Sequence, residues 1–214
     1  MKIKRDFYLT QLIDRKHNRM IKIVSGIRRC GKSYLLSELF TQHLLDEGVD
    51  RHHIIHIDLD TRDNLEYRNP DACNQYVKSL IKDDNMYYLL LDEVQLMEDF
   101  VSVLNGFLHI KNLDVYVTGS NSKFLSSDIV TEFRGRGDEI RVYPLSFAEI
   151  YPIYDNNWEK AWGDYTVYGG IPLVFTYKKE EDKVKYLKNL FKETYLKDII
   201  ERNSDAVEEE IDSQ

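Results

Sequence analysis

The sequence predicts an α/β fold: a mostly parallel five-stranded sheet covered by helices on both faces, followed by a small helical subdomain. Three observations lead there. From Met20 to Val142, short apolar runs bounded by turn residues alternate with longer segments whose apolar residues recur at helical spacing. Most of these runs are nearly continuous in apolar character, as strands buried on both faces of a parallel sheet must be. Between the first run and the first long helical pattern stands Gly26-Ile27-Arg28-Arg29-Cys30-Gly31-Lys32-Ser33, the place and spacing of a phosphate-binding loop.

The elements follow in order. Asp6 to Lys16 reads as a short amphipathic helix with Phe7, Leu9, Leu12 and Ile13 available to pack. Met20 to Ser25 is the first strand, and Ser33 to Leu45 a helix with Leu35, Leu36, Leu39, Phe40 and Leu44 on one face, stopped by Gly48. His53 to Leu59 is the second strand. Pro70 opens a helix running to about Lys82, and Asp83-Asp84-Asn85 turns the chain into a third strand, Met86 to Leu91. Asp99 is placed to cap a helix carrying Phe100, Leu104, Phe107 and Leu108. The fourth strand is Asp114 to Thr118, a short helix follows near residues 122–127, and Glu139 to Val142 makes the fifth strand.

After Tyr143-Pro144-Leu145-Ser146-Phe147 the strands end. Short helices around 147–151 and 157–168, the turn Gly169-Gly170-Ile171-Pro172, and a long helix from about Lys183 to Ile200 remain. The predicted division is therefore residues 1–145 for the nucleotide-binding core and 146–214 for the helical part.

At 214 residues, 43% hydrophobic and 31% charged, the chain suits one well-buried domain with an appendage. No run approaches the roughly 18 apolar residues of a membrane span, and the first six residues lack the apolar stretch of a signal peptide. Two cysteines, Cys30 and Cys73, are too few for a disulfide framework, so a reducing, cytoplasmic setting is expected. A net charge of −8 gives no general support for nucleic-acid binding. Residues 1–29 are nonetheless basic, with Lys2, Lys4, Arg5, Arg15, Lys16, Arg19, Lys22, Arg28 and Arg29 against Asp6 and Asp14, and read as a solvated face rather than a polyanion patch. His53 and His56 would point to opposite faces of a strand, which argues against a metal site with His52. The 15 tyrosines are scattered and read as packing residues.

The candidate chemistry begins at the loop. Gly26 and Gly31 let the backbone curl so that successive N–H groups face a phosphate chain. Lys32 reaches the β- and γ-phosphates, the Ser33 hydroxyl ligates Mg²⁺, and the helix N-terminus adds positive potential. Arg28, Arg29, Cys30 and Tyr34 complete the predicted nucleotide-binding set. Cys30, near Lys32 and a helix N-terminus, has the surroundings that activate a thiol, and its alkylation is expected to block nucleotide binding. A second acidic motif closes the apolar run Tyr87-Tyr88-Leu89-Leu90-Leu91 with Asp92-Glu93. Asp92 suits the metal, while Glu93, on the other face by strand alternation, is placed to deprotonate an attacking water. Thr118-Gly119-Ser120-Asn121-Ser122 ends the fourth strand, and Asn121, then Ser120, is the candidate polar residue facing the γ-phosphate.

With these motifs the chain resembles the AAA+ superfamily, and more closely the bacterial and archaeal AAA-type ATPases that carry a C-terminal domain of unknown function. Gly26 through Ser33, Leu91-Asp92-Glu93-Val94-Gln95, Thr118 through Ser122, Gly135-Arg136 before Tyr143-Pro144-Leu145-Ser146-Phe147, and Tyr168 through Pro172 carry the resemblance, in the family's order. It implies a P-loop NTPase fold of three layers, ATP as the nucleotide, Asn121 as the sensor, and a helical lid near 169–172. It also implies an arginine finger acting in a neighbouring subunit of a homo-oligomer. Arg134-Gly135-Arg136-Gly137 offers two arginines, of which Arg136 is the candidate. Family members are longer, so a further C-terminal domain is expected beyond this chain.

The sequence thus predicts Mg²⁺-dependent ATP hydrolysis, with Lys32, Glu93, Asn121 and Arg136 catalytic and Ser33 and Asp92 on the metal, acting on an unidentified protein or nucleic-acid substrate. A slowly hydrolysing switch and a phosphotransferase are the alternatives. A GTPase would carry N-K-x-D, which the chain lacks.

Overall fold

The apolar runs form strands because their neighbours cover them on both faces. In the computed structural model, which describes residues 3–120, 133 and 135–196, β1 (Ile21–Ser25), β3 (Tyr87–Asp92) and β4 (Leu113–Thr118) are buried along their whole length. β2 (Ile54–Asp58) and β5 (Gly137–Arg141) lie at the edges and expose His56, Glu139 and Arg141. The order is β2-β3-β4-β1-β5, and every pairing is parallel. Parallel neighbours need crossovers, and right-handed crossovers in both directions along the sheet put helices on both faces.

Among the described residues four helices accompany the strands: α1 (Asp6–Asp14), α2 (residues 32–46), α3 (Pro70–Leu80) and α4 (Phe100–Phe107). Alternation gives each strand two faces. Ile21, Ile23, Ile55, Ile57, Leu89, Leu91, Val115 and Val117 pack in one core with Cys73 and Val77 of α3 and Leu104 and Phe107 of α4. The opposite face carries Lys22, Tyr88, Asp114 and Tyr116, then Asp92 and Thr118 further along. Phe40 of α2 lies 4.6 Å from the Tyr116 ring and 6.5 Å from that of Tyr88. The connection after β1 runs to β2 and that after β4 crosses to β5, in opposite directions from two adjacent strands. A sheet of this kind opens its ligand crevice there, beyond the strands' carboxyl ends.

Three local features differ from the sequence reading. α2 is α-helical over Lys32–Tyr34, π-helical over Leu35–Phe40 and α-helical again over Thr41–Asp46. The Thr41 hydroxyl donates to the Leu36 carbonyl five residues back at 3.1 Å, satisfying an acceptor inside the widened turn. β2 begins at Ile54 because Asp50 caps a 3₁₀ turn, Arg51–His53, by accepting from the His52 N–H. β5 begins at Gly137, two residues early, because β1 offers an unpaired edge that the glycine joins opposite Ile21.

The basic stretch is not simply a solvated face. Arg15 pairs with Asp138 at 2.9 Å, Lys16 with Glu47 and the fully buried Lys22 with Asp114. Arg5 is 3% exposed and stacks over Tyr8. His52 and His53 likewise take separate carboxylates, Asp50 and Asp83.

The chain forms two compact units, one of Arg5–Ile27 and Gly31–Val142 and one of Met1–Lys4, Arg28–Cys30 and Tyr143–Gln214. The latter holds α5 (Phe147–Ile150), α6 (Trp158–Tyr168) and α7 (Glu180–Leu190), which continues as a π-helix over Phe191–Tyr195. Ser146 and Glu149 form a capping box on α5. The Leu145 N–H donates to the Gly170 carbonyl at 2.7 Å, and a Cβ on Gly170 would stand 2.1 Å from the Leu145 carbonyl oxygen, so only glycine fits. Asp164 accepts from Lys183 at 2.8 Å and from the Tyr154 hydroxyl at 2.6 Å, tying α6 to α7 beside the cluster of Tyr168, Ile171, Val174 and Leu190. The helix predicted near 122–127 lies outside the described residues, as does the end of the one predicted to reach Ile200.

Candidate functional site

The site is built from the carboxyl ends of β1, β3 and β4. After Ser25 the backbone leaves regular geometry: Gly26 has φ 148°, Arg29 φ 65° and Gly31 φ 101°, values that favour glycine, which occupies two of the three positions. The first helical bond of α2 then runs from the Leu35 N–H to the Gly31 carbonyl at 3.0 Å. Lys32 is 3% exposed, and its ammonium donates to the carbonyls of Gly26 at 3.0 Å and Ile27 at 3.1 Å. Among the described residues no carboxylate pairs with it. A buried ammonium held only by neutral carbonyls is a site that an anion completes.

Asp92 ends β3 at 5% exposure. The Ser33 hydroxyl hydrogen-bonds to it, and so does that of Thr118 at the end of β4. Burial pushes the Asp92 carboxyl above its ordinary range. The two hydroxyls pull it back, and the charges of Glu93 and Asp58 push it up again. A divalent cation would relieve that field. Among the described residues no cluster of three or more His, Cys, Asp or Glu side chains stands ready to hold a metal. Magnesium, which keeps most of its waters and phosphate ligands, needs only the one or two protein groups that Ser33 and Asp92 supply. The residues present therefore fit both a polyphosphate and Mg²⁺.

Glu93 is not aimed by strand alternation, because the strand stops at Asp92. Its backbone is left-handed, φ 55° and ψ 48°, at a cost of about 1–2 kcal/mol. Its N–H donates at 3.0 Å to the same Thr118 hydroxyl that bonds Asp92, which holds the turn. The Ser120 hydroxyl donates to Glu93 Oε2 at 2.7 Å, and the Gln95 amide donates to the same oxygen. Ser120, the second choice for facing phosphate, instead holds the acid. Sequence reasoning missed Thr118 and Gln95. The polar residue ending an apolar strand was a signal for Thr118, but its partners depend on β4 lying beside β3.

The remaining predicted residues scatter. Arg28 and Arg29 are exposed and Cys30 is fully buried. With its thiol buried, Cys30 is reached by an alkylating reagent only when the loop opens. The Tyr34 hydroxyl is buried and burial raises its pKa, as does Glu38. Arg136 is exposed and donates to Asn105 of α4 at 3.3 Å. Its carbonyl accepts from Ile21 at 2.8 Å, at the amino end of β1, about 13 Å of strand away from the loop. The fold does not bring Arg136 to its own chain's site. Asn121 and Arg134 lie outside the described residues.

A family model described as an AAA domain matches residues 18–151, a span that includes the loop, Asp92, Glu93 and the β4 end. The chain belongs to this AAA family. An uncharacterized protein of Haemophilus influenzae is 31% identical over 206 residues, covering 94% of this chain and 51% of its own length. One from Methanocaldococcus jannaschii is 28% identical over 199 residues, covering 86% and 43%. The chain thus spans about half the length of these relatives. A Walker-type ATPase of Pyrococcus abyssi shares the AAA fold at TM-score 0.53 and 18% identity, over 99% of this chain and 75% of that one. Saccharomyces cerevisiae Hsp104, in a complex with casein, shares it at TM-score 0.52 and 18% identity, over 74% and 30%. The AAA assignment agrees with a P-loop NTPase-like sheet and with nucleotide binding of the ATPase type.

Proposed function

We propose that the chain is a Mg²⁺-dependent ATPase whose hydrolysis is coupled to a partner recognised elsewhere in the full protein. The observation that carries this reading is the chain of contacts Ser33–Asp92–Thr118–Glu93. One hydroxyl of the phosphate loop, one buried carboxylate, and the backbone of a second acid whose carboxylate Ser120 and Gln95 hold are linked where three strands end.

Lys32 and the loop amides hold the β- and γ-phosphates; Ser33 and Asp92 would hold magnesium, which would supply neutralising charge at the phosphate oxygens. Glu93 takes a proton from water as the water oxygen bonds to the γ-phosphorus, the bond to the β–γ bridging oxygen breaks, and ADP carries away that electron pair. Asn121 is the proposed sensor. Arg136 serves a neighbouring subunit, a role supported by its distance from the loop of its own chain.

The test is steady-state ATP hydrolysis per subunit across a wide protein concentration range. Glu93→Gln should lower the rate by about 10²–10⁴ with nucleotide binding retained. A rate unaffected by that substitution, or by removing Mg²⁺, overturns the reading. A specific rate independent of concentration overturns the role of Arg136 in trans.

A further inference from the structure

Gln95 has no part in the chemistry above, yet it touches the residue that chemistry depends on. It lies in the 3₁₀ turn Val94–Leu96 that follows Glu93. Its Nε2 and the Ser120 hydroxyl converge on Glu93 Oε2, while Oε1 receives no hydrogen bond from any described residue. The amide orientation follows from the contact, since the reverse would set two acceptors against each other. Gln95 Oε1 is itself buried and without a hydrogen-bond partner among the described residues. A side chain that commits its donor to a carboxylate and leaves its acceptor unmet is not placed to satisfy its own turn.

We propose that Gln95 is a positioning residue for Glu93: with Ser120 it pins one carboxylate oxygen and leaves the other as the atom that takes the proton. This rests on the ATPase reading. A free glutamate samples several rotamers about three side-chain bonds, and only those that direct an oxygen at the attacking water are productive. Two donors on one oxygen select a single rotamer, and the left-handed backbone, fixed by Thr118, sets where that rotamer points.

Gln95→Met keeps the side chain's length and removes the donor. In the full chain the expected result is a kcat 10- to 100-fold lower. KM for ATP and the Kd for a fluorescent non-hydrolysable ATP analogue should change less than twofold. In a Glu93→Gln background the same substitution should change the residual rate by less than twofold, because nothing remains to position. Ser120→Ala should act in the same direction, and the double variant should fall short of the product of the single losses. A second readout needs no nucleotide: the side-chain amide protons of Gln95 should resonate downfield of ordinary glutamine amides, and Glu93→Gln should abolish the shift.

A Gln95→Met enzyme with native kcat overturns the inference and leaves the ATPase reading intact. So does an equal loss in the Glu93→Gln background, or a loss expressed in Kd. Absence of any Glu93-dependent hydrolysis in the native chain overturns both.

Discussion

At the amino end of the sheet a lysine and an aspartate meet; at the carboxyl end another such pair is kept apart. Lys22 is fully buried and pairs with Asp114, donates to the Met20 carbonyl at 2.9 Å and lies 4.6 Å over the Tyr116 ring. Asp114 also accepts from the Tyr116 hydroxyl at 2.9 Å and the His17 N–H at 3.0 Å, and His17 shares a hydrogen bond of 2.8 Å with Tyr88. Every charge there has its partner within the protein. Lys32, by contrast, has only carbonyls and Asp92 only hydroxyls among the described residues. Similar side chains serve stability where they answer one another, and binding where each is left to an outside group.

The largest expected effect lies at the closed end. Lys22→Met strands the Asp114 carboxylate in the interior and should cost about 3–5 kcal/mol of unfolding free energy, measured by urea denaturation without nucleotide. Replacing Asp114 by Leu as well should recover most of it. A single-variant cost below about 1 kcal/mol would mean that the pair is solvated and that the two ends do not differ as described.

That contrast explains what the sequence made legible. The parallel sheet was readable because β1, β3 and β4 are apolar along most of their length, and the loop because glycine spacing and lysine chemistry are local. Asp92 and Glu93 were readable as the last residues of an apolar run. The closed network was not, since Lys22 and Asp114 stand 92 residues apart and only the β1–β4 pairing joins them. The same holds for Ser120 on Glu93, which requires β4 to lie beside β3. The π stretch of α2 was hidden because its residues keep a helical apolar pattern, and the widening rests on how Thr41 meets a carbonyl. Arg136 was legible as a motif but not as a residue of the sheet's far end.

A middle-sized effect separates the ends by pH. Burial pushes the Tyr88 phenol up to about 12, and the charges of Asp114 and Glu47 add to it. A phenol whose folded pKa exceeds its unfolded value of about 10 contributes stability that is complete below that pH and lost as pH rises towards 12. In Tyr88→Phe this loss should shrink by on the order of 1–2 kcal/mol at pH 12 relative to the native chain, read from melting curves between pH 9 and about 12. An unchanged alkaline limb would mean that the phenol reaches water when ionised and that the network is open.

The smallest effect carries the opposite sign and bears most directly on the binding end. An aspartate whose pKa is raised by burial weakens the fold once it is ionised, because the charged form prefers water. Asp92→Asn removes that charge and its repulsion with Glu93 and Asp58, and the new amide oxygen can still accept from the Thr118 hydroxyl. Without ligand the variant should therefore be as stable as the native chain or more so, by about 0–1 kcal/mol. With Mg²⁺ and a non-hydrolysable ATP analogue the order should reverse: the native chain gains stability by mass action, and the variant loses the part of that gain that magnesium supplies. Paired melting curves with and without Mg²⁺ read both. If Asp92→Asn weakens the empty chain as Lys22→Met does, then Asp92 is a structural acid like Asp114, and the carboxyl end is not held open for a ligand.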